Sequence, residues 1–259
     1  MPELSASEIA AWIGRYLWPL FRVSAFFMAM PVIGTQMVPV RVRLGLSIVV
    51  TLAVTPLLPE MPRVDPLSVT AYLLIGQQLL LGVALAFVLQ LLFQVSVVAG
   101  QMISYQMGLG FASIADPVNG VSVAVLSQFY LMLTMLLFLS MNGHLVVVEV
   151  LVESFRVMPV ALQAPDFGML WQLAAWGAWM FSAAVVIALP AVTALLVVNF
   201  AFGIMNRAAP QLNIFSLGFP FTMLFGLLIV FVSLSGFLPQ YQRLAEEGLL
   251  MTRQLIGIP

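Results

Sequence analysis

The chain has 259 residues, 63% of them hydrophobic and only 7% charged, with a formal net charge of −1. A soluble domain carries about 25% charged residues, so there is too little polar surface here to cover a water-facing globule. The balanced charge, with no clustered basic patch, gives no footing for a nucleic-acid partner. The lack of cysteine excludes disulfides, thiolate catalysis and thiolate metal sites.

No charge occurs from Pro66 to Ala115, from Pro117 to Val148 (His144 taken as neutral), from Phe167 to Asn206, or from Ala208 to Gln242. A membrane helix needs about 20 mainly apolar residues, and in lipid the backbone must be satisfied within the segment. The sequence predicts an all-α integral membrane protein with about six long hydrophobic helices: Ile9–Met30, Leu44–Leu58, Val69–Val98, Ser122–Met141, Leu170–Val198 and Phe215–Leu238. Breaks fall on turn-forming residues at Pro31–Pro39, Pro56–Pro66, Asn119-Gly120, Asn142-Gly143, Pro159–Pro165 and Pro210. Met1-Pro2-Glu3-Leu4-Ser5 is acidic rather than basic, unlike the start of a cleaved signal peptide.

In the first helix Glu8, Arg15 and Arg22 recur every seven positions and share one face. An Arg at mid-bilayer costs about 2.5–3.5 kcal/mol on insertion scales. The stripe therefore meets protein or water, unless snorkelling at the helix ends relieves it. The second segment is short for a span. On the third helix Gln90, Gln94 and Gln101 lie within about 40° of one another, marking either interhelical hydrogen bonds or the wall of a wet conduit.

The following stretch, Met107-Gly108-Leu109-Gly110-Phe111-Ala112-Ser113-Ile114-Ala115-Asp116-Pro117, is apolar and glycine-bearing. Asp116 before Pro117 reads as a helix N-cap with proline at the first helical position. The preceding residues form either a re-entrant loop buried for packing or a soft plug that closes an aqueous path by dewetting. Methionine suits a surface that repacks. After Asn142-Gly143, the polar residues His144, Glu149 and Glu153 cannot converge on a metal if helical, and Arg156 partly neutralises Glu153.

Pro159–Pro165 separates residues 1–165 from a final unit, 166–259. That unit is a helical hairpin turning at Asn206-Arg207-Ala208-Ala209-Pro210, with an amphipathic tail over Gln240–Pro259. Trp171, Trp176 and Trp179 form an interfacial cluster at its start, and Pro190 and Pro220 are expected to kink its helices. Alternating the six segments leaves Arg41, Arg43 and Arg207 facing Arg63, Arg156, Arg243 and Arg253, so orientation does not resolve. No metalloprotease helix, nucleotide-binding loop or nucleophile elbow occurs; no enzyme activity and no cofactor are expected. A stand-alone secondary transporter would want paired ionisable groups near mid-membrane, which the sequence does not supply.

Four stretches resemble the FliR family of flagellar export proteins. They are Gly108 to Pro117 with Leu126-Ser127-Gln128-Phe129, Asn142-Gly143-His144 with Glu153-Ser154-Phe155 and Pro159, Asn206 to Pro220, and Val38-Pro39 with Arg41, Arg43 and Leu44. The resemblance covers essentially the whole chain. It implies a FliP-like front, residues 1–165, fused to a FliQ-like hairpin, residues 166–259, within a helical export gate. The implied partners are FliP, FliQ, FlhB, FlhA, unfolded flagellar substrates and membrane lipid. The implied location is the bacterial inner membrane, multi-pass or raised within the flagellar basal body. The family's plug loop maps onto Met107, Gly108, Leu109, Gly110, Phe111, Ile114, Asp116, Pro117, Asn119 and Gly120. Glu8, Arg15, Arg22, Gln90, Gln94, Gln101 and Arg207 are the candidates for subunit contacts. The injectisome relative is the alternative within the same family.

Overall fold

The computed structural model describes residues 6–35, 38–62, 64–65, 68–109, 124–161, 167–208 and 214–257. Among them are seven α-helices and no strand: α1 (Ala6–Ala29), α2 (Val40–Val54, prolonged by a 3-10 turn at Thr55–Leu57), α3 (Val69–Gln106), α4 (Val125–Ser140), α5 (Gly143–Val157), α6 (Phe167–Ala208) and α7 (Ile214–Leu255). Among the described residues four stretches are long and apolar enough to cross a membrane: Val40–Leu57, Val69–Gln106, Gly168–Ala208 and Pro220–Leu255. They become five if α4 and α5 count as one broken span. The chain is an all-α integral membrane protein.

Three expectations drawn from the sequence are corrected. Helix α5 is absent from the six apolar segments because His144, Glu149, Glu153 and Arg156 dilute its hydropathy. It buries Val147, Val150, Leu151, Ser154 and Phe155, the one-sided spacing of an amphipathic helix. Helix α6 runs through Asn206 and Arg207 to Ala208, the first three residues of the expected turn, since none of them bars a helix; Ala209 and Pro210 lie outside the described residues. Helix α7 continues through Pro239 to Leu255, so the tail is not a separate element. A proline removes one backbone donor, and an otherwise continuous helix tolerates that loss.

The chain packs as two compact units: Met1–Leu91 with Met141–Trp176 and Glu247–Pro259, and Leu92–Ser140 with Gly177–Glu246. In the first unit the centre is Arg22, fully buried beside Trp18 and Phe26. Its Nε donates to Gln78 Oε1 at 2.8 Å, and one terminal nitrogen donates to the Ser154 carbonyl at 2.9 Å and hydroxyl at 3.0 Å. The other terminal nitrogen donates to the Met158 carbonyl at 2.8 Å, and the guanidinium lies 4.1 Å from the Phe155 ring centroid. The cation thus sits at the C-terminal end of α5, where the helix dipole favours positive charge and the Ser154 carbonyl, already bonded to the Met158 amide at 2.9 Å, takes a second donor.

Close approach makes this geometry possible. A Cβ on Gly82 would fall on the Arg22 carbonyl oxygen and within 2.9 Å of the Ala25 Cβ, so α1 and α3 cross almost backbone to backbone. Gln90 Nε2 then donates to the Ala29 carbonyl at 2.6 Å, satisfying the last residue of α1. Helix α2 turns Ser47, Thr51 and Thr55 inward, each hydroxyl donating to the carbonyl four residues back. Its outer face exposes Val42, Val49 and Leu52.

Arg22→Leu is expected to destabilise the chain by about 3–5 kcal/mol, because buried acceptors would lose a charged donor. Arg15→Leu, at an exposed position, is expected to change stability by less than about 0.5 kcal/mol. Thermal unfolding in detergent of the two variants checks the contrast, and equal losses would contradict it.

Candidate functional site at the foot of the glycine-bearing loop

In the second unit α3 and α4 run antiparallel through a seam of small and polar residues. Phe93 meets Phe138 edge-on at 5.3 Å, and the Thr134 hydroxyl donates to Ser96 Oγ at 2.6 Å. A Cβ on Gly100 would sit 2.6 Å from the Ser127 Cα. Such seams suit helices in lipid, where backbone proximity and interhelical hydrogen bonds of roughly 0.6 kcal/mol each replace a hydrophobic drive. Helix α7 joins through Tyr130, Phe237 and Tyr241, whose rings follow one another at 5.3 and 6.4 Å.

The seam leads to the end of α3, where the glycine-bearing stretch begins. Gly108, at φ 81°, takes the left-handed conformation. The Gly108 amide donates to the Tyr105 carbonyl at 3.1 Å and the Leu109 amide to the Ser104 carbonyl at 3.0 Å. This pair of bonds is a Schellman stop, which satisfies carbonyls that the helix end would otherwise orphan. A further carbonyl, that of Gln106, accepts from Asn199 Nδ2 of α6 at 3.0 Å. Met107 is 1% exposed, and its side chain occupies the space left by Gly226 on α7. A Cβ there would lie 2.5 Å from Met107 Cγ, 2.7 Å from Cε and 2.8 Å from Sδ. Backbone capping, one amide and one side-chain socket therefore fix the last described turn before the loop.

Of the loop residues, Met107 is buried and Gly108 and Leu109 are half-buried. Gly110, Phe111, Ile114, Asp116, Pro117, Asn119 and Gly120 lie outside the described residues. The charge stripe on α1 divides: Arg15 is exposed, Arg22 is enclosed by its own chain, and the Glu8 side chain lies outside those described. Arg22 is thus not available to a subunit contact, because α3 and α5 already supply its shelter. Gln90 is bonded to Ala29, and Gln101 donates to the Tyr105 hydroxyl at 2.8 Å and accepts from Ser127 at 3.4 Å. Gln94 is exposed, as is Arg207 in the last turn of α6. Among the described residues no group of three His, Cys, Asp or Glu side chains is placed to hold a metal.

The chain matches the family described as bacterial export proteins, family 1, over residues 13–248. The chain belongs to that family. Within it, the chain is similar to the flagellar biosynthetic protein FliR of Escherichia coli (strain K12), with 36% identity over 247 residues, 95% of this chain and 94% of that protein. It is also similar to the FliR protein of Pectobacterium carotovorum subsp. carotovorum, with 35% identity over 95% of this chain and 94% of that one. The FliR protein of Bacillus subtilis (strain 168) shares 29% identity over 85% of this chain and 86% of its own.

In this member of the bacterial export proteins, family 1, sequence reasoning missed Gln78, Ser154, Asn199 and Gly226. Asn199 carried one signal, an amide inside an uncharged run of apolar residues, which must find a partner or water. Gly226 carried none, because a glycine among leucines and phenylalanines shows its use only when another side chain fills its space.

Gly108→Ala is expected to cost about 1–2 kcal/mol in the final turn of α3, the penalty for a Cβ in the left-handed region. Faster hydrogen exchange at the Met107 and Gly108 amides checks this. Unchanged protection would mean that the glycine does not hold the stop.

Proposed function

We propose that this chain is a non-enzymatic subunit of the flagellar type III export gate in the bacterial inner membrane. It assembles with FliP and FliQ, alongside FlhB and FlhA, and contributes one wall of the conduit through which unfolded flagellar substrates leave. Residues 1–165 act as the FliP-like part and 166–259 as the FliQ-like hairpin. The names of the relatives support the flagellar assignment over the injectisome one.

The observation that carries the proposal is helix length. Helices α6 and α7 have 42 residues each, about 63 Å at 1.5 Å per residue, against a hydrocarbon core of about 30 Å. Helix α6 carries no charge from Phe167 to Asn206 and exposes Phe181, Val186, Leu189, Val197 and Phe200. Lipid covers only part of such a surface, and water is a poor solvent for the rest. Companion helices are the remaining cover, as a multi-subunit gate supplies.

The apolar loop that starts at Met107 acts as the plug. Methionine, leucine, phenylalanine and isoleucine close a narrow path by excluding water, and they repack around a passing chain. Deleting Leu109–Ile114 is expected to leave the complex assembled while raising the membrane's leak to small ions. Conductance is measured in cells that carry the whole apparatus, and an unchanged leak in an assembled complex would remove the plug from the account.

A further inference from the structure

The foot of the loop is held by side chains from both long helices of its own unit. We infer that Met107 seated against Gly226, with Asn199 bonded to the Gln106 carbonyl, forms a latch through which α6 and α7 position the plug. The inference rests on the plug reading above and adds to it the residues that hold the foot in place. These are positioning residues, since nothing places them on the substrate.

Each part has a reason to be separable. Gly226 meets three atoms of one side chain within 2.8 Å of its absent Cβ, all of them in Met107. A flexible methionine leaves such a seat without disturbing backbone, whereas a branched side chain would not. The Asn199 bond is made to a carbonyl near the end of α3, where the helix lacks its own donors, so its loss frees the turn without unwinding α3. The Schellman bonds run from Gly108 and Leu109 to the Tyr105 and Ser104 carbonyls of α3, so the turn stays hinged to α3 when the two contacts to α6 and α7 part. A shift of α6 or α7 by the passing substrate would thus reach the loop through two contacts and leave the α3–α4 seam closed.

The test is a double-mutant cycle in cells carrying the complete export apparatus, read as ion leak and as secreted substrate, with complex assembly checked by co-purification. Gly226→Ala is expected to raise the leak about tenfold, since one misplaced methyl group in a packed seat shifts a two-state equilibrium by that order. Met107→Ala is expected to leak as well, and Gly226→Ala to add nothing in that background, because residues in contact are not additive. Effects that simply multiply would overturn the pairing.

A second arm uses the absence of native cysteine. Met107→Cys combined with Gly226→Cys places a sulfur near the Met107 Cγ position, 2.5 Å from the Gly226 Cβ position, within reach of a disulfide. Oxidation is expected to block secretion and stop the leak, and reduction to restore secretion, with neither single variant responding. A pair that never cross-links, or a cross-link that leaves secretion untouched, would overturn the latch. The Leu109–Ile114 deletion run in parallel separates the two ideas. If the deletion leaks and the cycle is additive, only the latch fails; if the deletion does not leak, the plug itself fails.

Discussion

An apolar helix can be covered by lipid over about 20 residues, yet α6, 42 residues long, carries no charge before Arg207, and α7, of the same length, carries none before Arg243. This mismatch governs the rest of the molecule. The 18-residue apolar window of α3 is 67% buried within the chain, against 33% in α6 and 22% in α7. Helix α3 therefore has most of its apolar window covered by its own chain, while α6 and α7 leave most of theirs uncovered. On the function proposed above, companion helices cover that surface.

Inside the chain the same scarcity of polar groups is handled by neutral partners. Arg22 is met by an amide, a hydroxyl, two carbonyls and an aromatic face. Burying a cation against helix-end carbonyls costs less desolvation than burying two full charges, and it ties α1, α3 and α5 at one point. Gln90 does similar service at the end of α1 and Asn199 at the end of α3. In each case a lone polar side chain from one helix completes the open backbone of another.

The uncharged runs and the turn chemistry made most of the helices legible, with breaks at Pro31–Pro39 and Asn142-Gly143 where turns were expected. Asn142 indeed adopts the left-handed conformation, at φ 57°. The stripe of Glu8, Arg15 and Arg22 signalled shelter for Arg22 but not its source, since Gln78 and Ser154 lie 56 and 132 positions away. Helical spacing reports which residues share a face, not what lies opposite. Helix ends were harder still: Pro239 did not stop α7, and the turn expected at Asn206 gave way to one more turn of helix. The seat at Gly226 was invisible for a related reason, because a glycine's purpose is the atom that occupies its place.

On the function proposed above, protein rather than lipid covers the surplus length of these helices. Single cysteines placed along Gly168–Ala208 of this cysteine-free chain and spin-labelled in the assembled membrane complex test it most directly. The account predicts lipid-type accessibility to oxygen over no more than about 20 consecutive residues, with the remainder shielded from both oxygen and aqueous relaxation agents. Lipid-type accessibility along the whole helix, in a complex that still exports, would contradict it.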